Sequence, residues 1–250
     1  MDTFRKHRRH APPGFFAVEA SGLAWLAAAD AVRVARVLSV GDDFIELERL
    51  PSASATPAAA DALGRGLAAL HDAGADAFGI GPGGWHSDGF IGDAPLPLRP
   101  HATWGAFYAR TRIEPYLAGA GLAPSGRATI ERLCERLEAG AFDDGAPPAR
   151  IHGDLWSGNV LWTPTGAALI DPAAHGGHRI TDLAMLALFG APLLGRIHAA
   201  YAEASGHLPD HWRELIGLHQ VHPLLVHAVL FGGGYGAQAV DAAASALATL

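Results

Sequence analysis

The chain has 250 residues, 50% of them hydrophobic and 17% charged, which is enough apolar material for a sizeable core and excludes a disordered segment. A formal net charge of −7 argues against nucleic acid as a partner. The single cysteine, Cys134, cannot form an internal disulfide, and no apolar run is long enough to span a bilayer. The expectation is a cytoplasmic protein without a membrane partner.

In chain order, Thr3-Phe4-Arg5-Lys6 reads as the end of a strand. The basic run from Arg5 to Arg9 precedes apolar residues as a secretory leader would, but Pro12-Pro13-Gly14 and Glu19 interrupt them. A helix through Phe15, Phe16, Val18, Glu19, Leu23, Trp25 and Leu26 is the better reading. Taken alone, Lys6 is a solvated charge in a basic run. Residues 32–38 and 44–50 read as strands joined around Gly41-Asp42-Asp43. The Ser/Ala/Pro stretch 52–57 is a linker, and we set the boundary there between a small N-terminal lobe, residues 1–51, and a mostly helical lobe, residues 52–250.

A helix over 58–72 carries Leu63, Leu67 and Leu70 on one face, with His71 as a capping or packing residue near its end. Gly79-Ile80-Gly81-Pro82-Gly83-Gly84 fits G-x-G-x-x-G, but a helix precedes it and loop follows, so no dinucleotide site is assigned. Residues 74–100 read as one long surface loop with a functional role. Further helices are expected over 104–118, 127–139, 193–204, 212–231 and 235–250. Arg110 and Arg112 read as exposed charges or ion-pair partners.

Residues 151–173 carry the chemistry. The polar loop His152-Gly153-Asp154-Leu155-Trp156-Ser157-Gly158-Asn159 leads into two short strands around Thr163-Pro164-Thr165-Gly166, and the second strand delivers Asp171. A hairpin this short keeps Asp154, Asn159 and Asp171 at one end of a rigid scaffold. Two carboxylates and an amide form an all-oxygen set, the ligand type of Mg²⁺ with phosphate oxygens completing its shell. The order and spacing match the catalytic loop of phosphotransferases. Asp154 would accept the proton of a substrate hydroxyl, and Asn159 and Asp171 would hold the metal. Asp182 would anchor the next helix and hold the loop by hydrogen bonds, with His152 in the same buried network. Trp156 offers a flat apolar surface for a sugar-derived substrate. His175 and His178 lack the further ligands of a transition-metal site and read as a structural loop.

H-G-D-L-W-S-G-N, I-D-P-A-A-H-G-G-H-R and D-L-A-M-L-A-L-F-G together resemble the fructosamine (ketosamine) kinase family, within the aminoglycoside and choline kinase-like phosphotransferases. L-G-R-G-L-A-A-L-H, W-G-A-F-Y-A-R-T-R-I-E-P and the segment from Leu218 to Tyr235 extend the resemblance over nearly the whole chain. It implies an α+β, protein kinase-like two-lobe fold, ATP and Mg²⁺ as cofactors, and a small-molecule or protein-bound ketosamine as substrate of a monomer. Lys6 and Glu19 match the family's F-x-K and E-A-x-G-L positions, which implies a lysine on the nucleotide phosphates held by a glutamate. Glu48 and Leu50 would then offer backbone groups to the adenine. The chain departs from the family at Ile180, where a glutamate is usual, and ahead of Lys6, where relatives carry two further strands and a phosphate-covering turn. A reduced small lobe is therefore expected. Another aminoglycoside- or choline-type kinase, or a catalytically weak pseudokinase-like protein, stands as the alternative. A two-carboxylate hydrolase would leave Asn159 and the Lys6/Glu19 pair unexplained.

Overall fold

The computed structural model describes residues 2–250. Strands β1 (Thr3–His7), β3 (Val37–Val40) and β4 (Phe44–Glu48) form an antiparallel sheet in the order β1-β4-β3, with Lys6 opposite Ile45. Ile45 and Leu47 alternate inward along β4 and meet helix α1 (Phe15–Ala27), which buries Phe16, Leu23 and Leu26. Each such side chain withdraws enough apolar surface for about 1.5–3 kcal/mol.

The single strand expected over 32–38 is split. Arg33–Val34 (β2) pairs in parallel with β9 (Gly166–Leu169) of the downstream hairpin, and only from Val37 does the chain join β4. The cause lies between them. Val34 and Ala35 are buried, while Arg36 N–H donates to Glu48 Oε1 (3.1 Å) and Glu48 N–H donates to Arg36 O (2.9 Å), which turns the chain. The parallel rung ties the N-terminal sheet to the hairpin that carries the site residues.

An extended stretch, 49–56, leads to α2 (Pro57–Asp72), which opens on Thr56, whose Oγ1 accepts the Ala59 N–H (3.2 Å), and on Pro57 in the first turn. One core crosses this stretch: Phe16, Leu23, Ile45 and Leu47 share a cluster with Leu63, Leu67, Leu169 and Tyr201. The long loop over 74–100 holds a hairpin of its own, β5 (Gly89–Ile91) and β6 (Ala94–Leu96). It turns at Gly92-Asp93 with Gly92 at φ 55°, and a Gly-Asp pair between apolar runs is a hairpin signal that the composition of the loop concealed.

The helix expected over 104–118 is one α-turn, α3 (Trp104–Phe107), then a wide π-turn (Tyr108–Ile113) and a tight 3₁₀ turn (Glu114–Tyr116). Pro115 has no N–H to donate, and the Thr111 hydroxyl takes the Phe107 carbonyl at 2.7 Å. The widened turn carries Arg112 inward, contrary to the expectation of an exposed charge. Arg112 is 1% exposed, its guanidinium lies 4.6 Å from the Phe107 ring centroid, and burial pulls its pKa down to about 10. Arg110 stays exposed and pairs with Glu138. Helices α4 (Pro124–Glu138), α7 (Ile216–Phe231) and α8 (Tyr235–Leu247) enclose a second core with Phe107 and Tyr108. Helices α5 (Arg179–Leu188) and α6 (Leu194–Ala204) complete the first, and Ile180 is buried within it. Among the described residues no helix is long and apolar enough to cross a membrane.

Candidate active site

The polar loop hangs between β7 (Ala149–Ile151), which pairs with β10 (His175–Gly177), and the hairpin of β8 (Val160–Thr163) and β9. Its shape depends on Gly153, which sits at φ 81° with no space for a Cβ against the Ala173 carbonyl. Asp182, with no exposed surface, accepts the backbone N–H groups of His152 (2.8 Å) and Gly153 (2.9 Å) and the Nε2–H of His71 (3.1 Å). Tyr201 closes the chain at His71 Nδ1 (2.7 Å). His71 is thus a buried link between helices and loop. His152 Nε2 donates to Ile170 O (2.8 Å), which leaves Nδ1 to accept the Asp154 N–H (3.3 Å).

Burial alone pushes the Asp182 carboxyl up, but the His71 hydrogen bond and the charges around it bring the net shift below the usual carboxylate value. Stability from this group is present above the unfolded pKa and lost as pH falls through the lower folded one. Asp182→Ala leaves three buried donors unpaired, and the expected loss is about 3–5 kcal/mol. Urea unfolding at pH 7 checks this; a loss under about 1 kcal/mol means that other contacts hold the loop.

A cavity of about 430 Å³ brings together Lys6, Glu19, Asp154, Trp156, Asn159 and Asp171. The Lys6 ammonium bridges Glu19 Oε1 (2.8 Å) and Asp171 Oδ1 (2.5 Å). Burial lowers its pKa, and the two carboxylates more than offset this, so the net shift is upward and the charge is retained. Asn159 Nδ2 donates to Asp154 O (2.8 Å), Asp154 Oδ2 (3.2 Å) and Asp171 O (3.4 Å), tying the loop to the end of β9. Desolvation raises the Asp154 pKa to about 6, against the lowering effect of Asn159 and with Asp171 and Asp182 adding to the rise. The indole of Trp156 packs against Gly158, where a Cβ would overlap the ring, and the residue is 41% exposed.

Glu48 and Leu50 do not belong to this group. Neither lines the cavity, and Glu48 is occupied as the partner of Arg33 and Arg36, its backbone N–H already donated to Arg36 O. The turn of the β5–β6 hairpin, absent from the sequence-based list, does line it through Gly92 and Asp93, and Arg8 reaches across the mouth to Asp93 at 2.5 Å.

The donor set fits a hard cation. Asp171 sits at a left-handed φ of 55°, and its buried Oδ1 meets the Lys6 ammonium as an ion pair. With Asn159 Nδ2 engaged, the amide oxygen is the atom left for a metal. Among the described residues no three His, Cys, Asp or Glu side chains form a metal cage, so phosphate oxygens and water would complete the shell, as Mg²⁺ prefers.

The fold is that of the two-lobed, kinase-like class. A solved choline kinase from Streptococcus pneumoniae overlays 97% of this chain and 86% of its own with a TM-score of 0.62 at 16% identity, a likeness of fold alone. The family model "Fructosamine kinase" matches residues 1–249, and the chain belongs to the fructosamine kinase family. A "Probable ketoamine kinase" of Thermus thermophilus is 37% identical over 230 residues, 90% of this chain and 79% of that protein. The crystal structure of a "putative fructosamine-3-kinase" from Thermobifida fusca superposes with a TM-score of 0.90 at 47% identity, covering 98% of this chain and 85% of that one.

Proposed function

We propose that this protein transfers the γ-phosphoryl group of ATP to a hydroxyl of a ketosamine, a fructosamine- or ribulosamine-type adduct. The observation that carries the reading is the convergence of Lys6, Glu19, Asp154, Asn159 and Asp171 on one cavity, in a member of the fructosamine kinase family. The acceptor oxygen forms a bond to the γ-phosphorus as the bond from that phosphorus to the β–γ bridging oxygen breaks, and the hydroxyl proton passes to Asp154. Lys6, oriented by Glu19, presents its ammonium to the phosphate oxygens, and Asn159 and Asp171 hold Mg²⁺. A metal held by these two side chains would supply charge neutralisation at the phosphates. Asn159 also keeps Asp154 at the cavity floor by its hydrogen bond, so that the base is positioned before substrate arrives. The rise of the Asp154 pKa to about 6 suits a base that works near neutral pH.

A panel of fructosamine, ribulosamine, choline and aminoglycoside acceptors, with ADP release as readout, tests the reading. Turnover confined to the ketosamines supports it; turnover of choline or an aminoglycoside alone sinks it. The pH dependence has a definite sign. Because the carboxylate is the active form, kcat/KM rises with pH through the Asp154 titration near 6 and is level above it. A rate that increases toward acid would remove Asp154 from the role of base.

A further inference from the structure

A second cavity, of about 170 Å³, opens beside the first and shares Asp154, Trp156, Ile91 and Gly92 with it. Its far wall is apolar, made by Met185 of α5 and by Pro223, Val226, Leu230 and Phe231 of α7. Asp154 is the only carboxylate in its lining, and no lysine or arginine reaches it. The remaining polar ring, His227, has its Nδ1 within hydrogen-bond distance of Pro223 O (2.7 Å) and is surrounded by the rings of Phe189, Phe231 and Tyr235 at 4.9, 5.4 and 5.2 Å. Phe231 is 69% exposed and Phe189 40%, and Trp156, which lines the cleft together with Phe231, is itself 41% exposed. Large aromatic side chains left in water beside a cavity mark a surface that a ligand covers.

We infer that this cleft receives the substituent on the acceptor's nitrogen, and that ketosamines whose amine carries an apolar or aromatic group are the preferred acceptors. The inference rests on the kinase reading and extends it. A ketosamine bears its nitrogen on a terminal carbon of the sugar chain. With a sugar hydroxyl at Asp154 and the nucleotide phosphates toward Lys6, the nitrogen arm has the neighbouring cleft to enter. The protonated amine crosses the exposed face of Trp156, where a cation gains about 0.5–1 kcal/mol from the ring. Beyond that point a second charge would be stripped of water with no counter-charge to meet it, whereas a phenyl or alkyl group replaces water on Leu230 and Phe231.

The test compares two adducts of the same sugar, one made from benzylamine and one from methylamine, which carry the same charge and differ by one phenyl ring. Isothermal titration in the presence of Mg²⁺ and a non-hydrolysable ATP analogue is expected to give the benzylamine adduct about tenfold the affinity, equivalent to about 1.4 kcal/mol. Phe231→Ala, which truncates an exposed side chain and leaves both cores intact, should reduce that ratio to about threefold or less, with Phe231→Leu between the two. Equal affinities, undetectable binding of the benzylamine adduct, or a ratio indifferent to Phe231→Ala overturns the inference. Phosphate transfer to the same adducts reads the underlying activity separately. A binding preference with neither adduct phosphorylated overturns the kinase reading and leaves the cleft's preference standing; phosphorylation of both at equal affinity overturns the cleft alone.

Discussion

Replacing Asp154 by Asn is expected to lower kcat about 10³-fold while leaving MgATP binding in place. General-base catalysis contributes on the order of 10²–10⁴ in rate, and an amide of the same shape accepts no proton. The Asn159 Nδ2 donor that now meets Asp154 Oδ2 at 3.2 Å finds an amide oxygen in its stead, so the loop keeps its geometry. The same substitution should stabilise the fold. Asp154 has a folded pKa of about 6, above its ordinary value of 3.8, so its contribution is favourable below the unfolded pKa and is lost as pH rises through the folded one. At pH 8 the buried carboxylate therefore costs on the order of 3 kcal/mol, which Asn removes. A Tm increase of about 6–12 °C at pH 8, vanishing below pH 4, would accompany the loss of turnover. Unchanged kcat sinks the catalytic assignment; a fall in Tm at pH 8 sinks the account of its burial.

Lys6→Met is the second substitution with a large expected effect, and it acts on binding and stability together. It removes the cation between Glu19 and Asp171, whose side chains are 12% and 36% exposed, and leaves two carboxylates facing each other. Breaking a fully buried pair costs about 3–5 kcal/mol; with this much solvent access roughly 2 kcal/mol is expected. Loss of the positive group at the phosphates should lower kcat/KM for ATP about 10²–10³-fold. The double variant Lys6→Met/Glu19→Gln separates the two roles, because it removes the orphaned carboxylate without returning a charge to the phosphates. Stability recovers and activity does not. If activity recovered as well, Lys6 would matter only as the neutraliser of Glu19, and its part in phosphate binding would fall.

The site was legible in the sequence to the extent that it is local. Asp154, Asn159 and Asp171 lie on one loop and one tight hairpin, where few rotatable bonds separate them and order along the chain is close to order in space. Residue type added to this: Gly153 is the only residue that fits its backbone conformation against Ala173, and the short apolar runs of β8 and β9 read as strands because nothing else suits their length. Lys6 and Glu19 were recovered through family resemblance, since a lysine in a basic run says nothing by itself about what it will face. Glu48 and Leu50, transferred in the same way, do not line the cavity that gathers Lys6, Asp154 and Asp171.

Spacing and residue type therefore determined the expected kind of chemistry, the hairpin proposed to carry it and the helices with a clean apolar face. The tertiary structure alone decided the rest: the contact of Lys6 with Asp171, the break of one expected strand so that β2 joins β9, the inward turn of Arg112, and the β5–β6 turn that lines both cavities. Each of these depends on a partner remote along the chain. Local preference is worth a few tenths of a kcal/mol per residue, and burying a side chain or pairing a charge is worth several times as much.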